Sequence, residues 1–211
     1  MTEKGVLAVV SGFSGAGKGT LMKELLALND SYALSISATT RAPREGEVDG
    51  REYFFLTKEK FEDMIEKGQL IEYAQYVGNY YGTPRAFVEK QLEAGKNVIL
   101  EIEVQGAMNV KQMFPEAVTI FVTPPDAKEL YRRLEGRGTE SREVIDGRMR
   151  RALEEANLMG FYDYLLINDD LEESTKELNE LIMQSRNRMC MQEPFIEKIK
   201  AELFQINSKG E

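Results

Sequence analysis

A glycine-rich stretch near the amino terminus constrains the fold of this chain more than any other feature. Residues 12–20 have the sequence GFSGAGKGT. The apolar residues 6–10 before it predict a buried strand, and Leu21, Leu25 and Leu28 after it recur at the spacing of a helix face. Exposed backbone N–H groups, a helix amino terminus and a mobile lysine together cradle phosphate groups. The stretch therefore predicts a loop that binds a nucleoside triphosphate.

The residue after the loop lysine departs from the usual pattern. Gly19 stands where such loops carry the serine or threonine that ligates Mg²⁺. Thr20 is one residue farther, and one residue turns a helical side chain by about 100°. We therefore expect Mg²⁺ to be held mainly by nucleotide phosphates and water. The residues predicted to bind ATP here are Gly12, Phe13, Ser14, Gly15, Ala16, Gly17, Lys18, Gly19 and Thr20.

The rest of the chain alternates predicted strands and helices, and the strands are apolar throughout rather than on one face. This pattern is typical of a parallel sheet that helices cover on both faces. We predict a strand over residues 98–104, and a helix with Thr83 as its cap and Pro84 as its first residue. Two polar, arginine-rich stretches, 37–84 and about 126–158, interrupt the alternation. Both are candidates for substrate binding.

Composition excludes several classes of function. The chain has no histidine, which excludes serine–histidine catalysis and imidazole zinc sites. Cys190 is the only cysteine, so no internal disulfide forms. A net charge of −9 argues against a nucleic-acid groove. No apolar run long enough to span a membrane and no signal peptide are found, so we expect a cytoplasmic protein.

The sequence of the first arginine-rich stretch is the more informative. Arg41 and Arg44 stand three residues apart in a loop with Pro43 and Gly46, an arrangement that can fork a phosphate. Taken alone, the pair would be more typical of a solvated basic loop. It is one of seven separated motifs that occur in a fixed order. They lie at residues 12–20, 37–53, 70–74, 78–83, 101–106, 133–139 and 167–170.

Through these motifs, residues 5 to about 190 resemble guanylate kinase, which phosphorylates GMP with ATP. The resemblance implies a P-loop nucleoside monophosphate kinase fold with a five-stranded parallel core sheet, helices on both faces and two insertions. The nucleotide-binding core would comprise residues 1–36, 85–125 and 159–190. Residues 37–84 would form a small mixed α/β GMP-binding region and 126–158 a helical lid. Residues 191–211 lie beyond the resemblance, and their role is open.

The resemblance also assigns GMP-binding residues. Arg41, Arg44, Tyr53 and Tyr81 would hold the GMP phosphate, and Ser37, Glu72, Thr83 and Glu103 would recognise guanine. A carboxylate such as that of Glu72 can accept both the N1–H and the amino group of guanine, and adenine lacks this donor pair. Strand alternation would put Ile71 and Tyr73 on the face opposite Glu72.

Two acidic residues need separate interpretation. Glu103 stands where the family commonly has aspartate and is one methylene longer, so the expected guanine contact is either shifted or mediated by water. Glu101, two residues earlier, is expected on the same face of the predicted strand. There it would either orient Mg²⁺-bound water or be a plain solvated carboxylate.

Seven of the thirteen arginines lie between residues 132 and 151. The resemblance implies that Arg133, Arg137 and Arg148 cover the transferred phosphate, and that with Lys18 and Mg²⁺ they stabilise its charge. The others default to surface ion pairs with interleaved acids: Arg132, Arg142, Arg150 and Arg151. Asn168 is predicted to help hold the adenine of ATP, the alternative being a buried turn asparagine.

Two other functions remain in consideration. Gly19 is reminiscent of adenylate kinase, so the acceptor could be AMP instead of GMP. A non-catalytic guanylate-kinase-like module would bind a partner protein, but such modules tend to lose the loop glycines and lysine, which are intact here. ATP and GMP are thus the expected partners, without nucleic acid or membrane, and the oligomeric state is open.

Overall fold

The structure is a computed structural model that describes residues 4–76, 78–136 and 141–208. The strands within these residues are β1 (Leu7–Gly12), β2 (Tyr32–Leu34), β3 (Ala38–Thr39), β4 (Phe54–Phe55), β5 (Leu70–Tyr76), β6 (Asn79–Pro84), β7 (Asn97–Glu101), β8 (Val118–Thr123) and β9 (Tyr164–Ile167). The α-helices are α1 (Lys18–Leu28), α2 (Lys58–Glu66), α3 (Arg85–Glu93), α4 (Val104–Met113), α5 (Ala127–Glu135), α6 (Arg142–Ala156), α7 (Leu171–Gln184) and α8 (Glu193–Asn207).

The central sheet has the strand order β2-β7-β1-β8-β9, and all of its pairs are parallel. Alternate residues of β1 supply two different cores. Ala8 and Val10 pack with α1, α5 and α7 on one face. Leu7 and Val9 pack with α3 and α4 on the other. Both faces are therefore covered, which explains the uniformly apolar strands and confirms the predicted parallel core.

A second, smaller sheet is built from the first arginine-rich stretch. Its order is β4-β3-β6-β5, with β5 and β6 forming an antiparallel hairpin. Its own small core consists of Ala38, Phe61 and Leu70. The register of the hairpin shifts between Leu70 and Tyr73, which marks a bulge.

The bulge makes the expected alternation around Glu72 wrong. Ile71 is fully buried against the central sheet's second core, whereas Tyr73 is 48% exposed. Glu72 between them is buried. A bulge breaks the two-residue period of a strand, so neighbouring side chains no longer divide cleanly between two faces.

Two predicted boundaries are also wrong. The strand expected over 98–104 ends at Glu101, because the chain turns into α4, where Val104, Ala107 and Val110 are buried at three-residue intervals. Thr83 does not cap a helix; it is a β6 residue, and α3 begins at Arg85. The apolar residues 102 and 104 prolonged the strand pattern and obscured the helix start.

The second arginine-rich stretch forms α5 and α6, which pack against each other and against the central core. The side chain of Asp126 accepts a hydrogen bond from the Glu129 N–H and so caps the amino terminus of α5. Helix α8 lies at the carboxyl end of the described residues, after α7, and none of its described residues is buried. Within the described residues, no helix is both long and apolar enough to cross a membrane.

Candidate active site

The phosphate loop joins the end of β1 to the start of α1, as predicted. Gly17 caps the helix with a φ of 89°, in the left-handed region that disfavours other residues. A Cβ on Gly12 would lie 2.1 Å from the Val122 carbonyl oxygen, so the strand end leaves no room for a side chain. Local backbone geometry thus requires glycine at both positions, independently of any nucleotide.

The side chain of Lys18 folds back onto the start of this loop. Its Nζ donates hydrogen bonds to the carbonyl oxygens of Gly12 at 2.8 Å and Phe13 at 3.1 Å. The loop borders an open cleft of about 350 Å³. Its lining residues are Ser14, Gly15, Gly17, Lys18, Gly19, Thr20 and Glu101. Gly12, Phe13 and Ala16 are not among them; Ala16 is buried, and its N–H donates to the Phe13 carbonyl oxygen at 3.0 Å.

Glu101 ends β7 at this cleft. Burial among neighbouring atoms raises the pKa of its carboxyl group, and the positive charge of Lys18 partly lowers it. Glu103 is not on the same strand face, contrary to expectation, because β7 has ended and Glu103 is the residue that precedes α4. The two carboxylates therefore belong to different parts of the site.

Asn168 lies directly beneath the phosphate loop. It is buried, and its Nδ2 donates to the Ala16 carbonyl oxygen at 2.7 Å. The same nitrogen would lie 2.5 Å from a Cβ on Gly17. This side chain therefore fixes the loop to the end of β9.

Arginines predicted to belong to a lid approach the loop from α5 and α6. Arg148 Nη1 donates to Ser14 Oγ. Arg133 Nη1 would lie 3.9 Å from a Cβ on Gly17, while its Nε donates to Glu129 Oε1 at 2.6 Å. Arg137 lies outside the described residues. The structure thus brings two of the three predicted lid arginines to the phosphate loop.

The other arginines of the cluster differ among themselves. Arg132 donates to Glu129, as expected for a surface pair, and together Arg132 and Arg133 lower the pKa of Glu129 to about 2. Arg151 does more than pair within its helix. It binds Glu155 on α6 and also reaches Glu103 Oε2 at 2.7 Å. This ion pair links the lid to a predicted guanine-binding residue.

The predicted phosphate-binding residues of the second sheet lie together. The Arg41 guanidinium carbon is 5.3 Å from the centre of the Tyr53 ring. The Tyr53 and Tyr81 rings meet edge-on at 6.1 Å. Arg44 is exposed in the same loop. This arrangement is a basic and phenolic surface suited to an anion.

Glu47 is not among the site residues predicted from sequence, although it contacts this cluster. It forms a bidentate ion pair with Arg41, at 2.9 Å for each oxygen, and accepts the Arg44 N–H at 2.7 Å. Its position three residues after Arg44, across Gly46, is the signal of a turn that could have indicated it.

The predicted guanine-binding residues centre on Glu72. Thr83 Oγ1 donates to Glu72 Oε1 at 2.7 Å, and burial raises the pKa of this carboxyl group. A Cβ on Gly106 would lie 3.1 Å from Oε2, so glycine at this position lets the first turn of α4 approach the carboxylate closely. The negative charge of Glu103 also raises the pKa of Glu72. Ser37 precedes β3 and accepts the Phe54 N–H through its carbonyl.

Beside Glu103, a second open cleft of about 530 Å³ lies between the start of α4 and the lid helix α6. Arg151 and Glu155 line it together with Glu103. Within the described residues, no group of three or more acidic or cysteine side chains could hold a metal ion unaided.

Comparison with known proteins agrees with this geometry. The family model for guanylate kinase matches residues 4–185. Guanylate kinase from Clostridioides difficile (strain 630) is 52% identical over 202 residues, which span 95% of this chain and 98% of that protein. The protein of the same description from Streptococcus thermophilus (strain CNRZ 1066) is 53% identical over 183 residues, 86% of this chain and 88% of its own. A crystal structure of guanylate kinase from Anaplasma phagocytophilum is similar with a TM-score of 0.71 at 32% identity, over 90% of both chains.

Proposed function

Because the chain belongs to the guanylate kinase family, we propose that its two arginine-rich regions divide the work of one phosphoryl transfer. The protein is an ATP:GMP phosphotransferase of purine nucleotide metabolism, which transfers the γ-phosphoryl group of ATP to GMP and forms ADP and GDP. In the proposed division, residues 37–84 bind GMP, the core binds ATP and residues 126–158 act as a lid.

One observation carries the assignment of GMP to the second sheet. Glu72 is a buried carboxylate whose Oε1 accepts a hydrogen bond from Thr83 and whose Oε2 lies beside Gly106 in the first turn of α4. Guanine offers two adjacent donors, and a buried carboxylate left without them is costly. We place guanine against Glu72, Thr83, Glu103 and Ser37. The GMP phosphate then meets Arg41, Arg44, Tyr53 and Tyr81.

The transfer itself needs positioning and charge neutralisation rather than a covalent intermediate. We propose that Lys18 exchanges its two loop carbonyls for ATP phosphate oxygens. The loop N–H groups hold the same phosphates, and Arg133, Arg137 and Arg148 neutralise the charge that develops during transfer. The attacking group is a phosphate oxygen anion, so no histidine base is needed. Closure of the lid excludes water from the transferred group.

Mg²⁺ is the proposed cofactor, bound together with ATP. The residues present fit an ion held chiefly by phosphate oxygens and water, because Glu101 and Thr20 line the same cleft as the loop. When bound, Mg²⁺ would neutralise phosphate charge. Glu101 would orient its water ligands, and Asn168 would support the ATP-binding loop and the adenine side of the site. We further propose that the enzyme works in the cytoplasm on these two small molecules.

The deciding experiment measures ADP production from ATP and Mg²⁺ with GMP, AMP, CMP or UMP as acceptor. Turnover with GMP alone, lost in Lys18→Ala, is the expected result. Preference for AMP would contradict the placement of guanine at Glu72. A folded protein that binds GMP without turnover would instead favour a binding module.

A further inference from the structure

The loop that carries Arg41 and Arg44 is closed by a single acidic side chain. Glu47 Oε2 accepts the Arg44 N–H at 2.7 Å, and the Glu47 N–H donates to the Arg44 carbonyl at 3.1 Å. The side chain and the backbone of Glu47 thus both form hydrogen bonds with the backbone of Arg44. Such a double contact fixes the turn between the two arginines.

The same carboxylate determines which edge of the Arg41 guanidinium stays available. Glu47 accepts from both Nη1 and Nη2, and the Ala42 carbonyl takes another Nη1 hydrogen at 2.8 Å. A guanidinium has five N–H groups, so three are engaged. The other two, on Nε and Nη2, face away from Glu47, lie side by side and form the fork that matches a phosphate.

The surroundings hold this orientation. The guanidinium lies over the rings of Tyr53 at 5.3 Å and Phe55 at 5.7 Å. Only 15% of the Arg41 side chain and 18% of that of Glu47 are exposed, so the pair is largely shielded from solvent. Tyr81 also interacts with Arg41 and raises its pKa, after the larger contribution of Glu47.

We propose that Glu47 is a positioning residue for GMP: it holds Arg41 and the Arg44 turn so that the Nε–Nη2 edge of Arg41 receives the GMP phosphate. The inference rests on the proposed binding of that phosphate by Arg41. Glu47 itself does not touch the substrate. Its negative charge opposes an incoming phosphate, so its value lies in geometry rather than in attraction.

Charge repulsion and positioning predict opposite changes in GMP binding when Glu47 is replaced, so Glu47→Gln distinguishes between them. If only charge mattered, loss of a negative charge would strengthen GMP binding and lower the KM for GMP. A positioning role predicts the opposite, a rise of about tenfold, because hydrogen bonds between charged partners are lost. The KM for ATP should stay the same. Glu45→Gln removes an exposed charge from the same loop and should leave both constants unchanged.

Two further measurements separate positioning from collapse of the loop. Guanosine lacks the phosphate, so its inhibition constant should not change in Glu47→Gln; an increase matching that for GMP would overturn the proposal. In an Arg41→Ala background, Glu47→Gln should add no further rise in the KM for GMP. An unchanged or lower KM for GMP in Glu47→Gln alone would also overturn it.

The same variants distinguish failure of this inference from failure of the GMP assignment. If Arg41→Ala raises the KM for GMP and Glu47→Gln does not, only the positioning role is wrong. If Arg41→Ala leaves the KM for GMP unchanged, the assignment of the phosphate site is wrong and the role of Glu47 is overturned with it.

Discussion

Thr83 donates its hydroxyl hydrogen to Glu72 Oε1 over 2.7 Å, between two buried side chains on neighbouring strands β5 and β6. The bond anchors one carboxylate oxygen in a fixed position. It also lowers the pKa of Glu72, against the larger effect of burial, which raises it. The small sheet thus keeps a desolvated carboxylate in place, an arrangement that stabilises a ligand rather than the empty protein.

Replacement of that carboxylate should remove recognition of guanine. In Glu72→Gln the side chain presents an amide N–H where guanine also presents donors, so kcat/KM for GMP should fall by about a thousandfold. The ratio of kcat/KM for GMP to that for AMP, measured by ADP production, should fall with it. Thermal unfolding at pH 7 should shift upward, because a buried charge is removed.

An exposed acid provides the matched control for this change. Glu66→Gln alters the end of α2, outside the proposed site, and should leave both kcat/KM values as they are. Equal GMP kinetics in Glu72→Gln and the unaltered enzyme would show that guanine binds elsewhere.

The raised pKa of Glu72 predicts a pH dependence with a definite sign. The carboxylate must be ionised to accept from guanine, so GMP use should be lost as the pH falls through a value above the ordinary 4.5. Glu103→Gln removes a neighbouring negative charge, which lowers the pKa of Glu72 and moves the acid limb to lower pH. For stability the sign is opposite: the free energy of unfolding should fall as pH rises through the raised pKa.

Comparison of the unaltered enzyme with Glu103→Gln separates the titration of the enzyme from the titration of GMP. GMP has its own phosphate pKa of about 6, which is common to both measurements. The midpoint of the acid limb of kcat/KM, rather than its height, is therefore the quantity to compare. A midpoint that does not move would mean that Glu72 is not the titrating group.

The contact between Arg148 and Ser14 predicts a role for one lid arginine in the chemical step. Arg148→Lys keeps the charge and loses the planar fork that can span two phosphate oxygens. We expect kcat to fall by about a hundredfold, with a smaller change in the KM for ATP. Arg142→Lys, at the start of the same helix, should leave kcat unchanged. A similar loss in both variants would indicate damage to α6 itself.

The phosphate loop and the central sheet could be predicted because their signals are local. Glycines at Gly12 and Gly17 meet backbone requirements that a few neighbouring residues set. Burial on both faces makes every residue of a strand such as β1 apolar, which shows directly in the sequence. The family resemblance then named the site residues that local pattern alone left open.

Other features depend on contacts between distant residues and could not be predicted. The burial of Glu72 depends on a bulge in β5 and on Gly106 in α4. No local pattern in the sequence relates these two features. Arg151 reaches Glu103 across 48 residues of sequence. Apolar residues continue beyond the end of β7 at Ile102 and Val104, so helix and strand periodicities overlap at the start of α4.

Two glycines of the loop should respond oppositely to alanine. Gly17 has a φ of 89°, and a Cβ there would meet Asn168 Nδ2 at 2.5 Å, so Gly17→Ala should cost about 2 kcal/mol of unfolding free energy and weaken ATP binding. A Cβ on Gly19 would meet nothing within 4 Å, and this residue is helical, so Gly19→Ala should gain about 0.5 kcal/mol. Urea unfolding measures both changes. Equal losses would mean that the first turn of α1 requires glycine for a reason other than backbone angle and space.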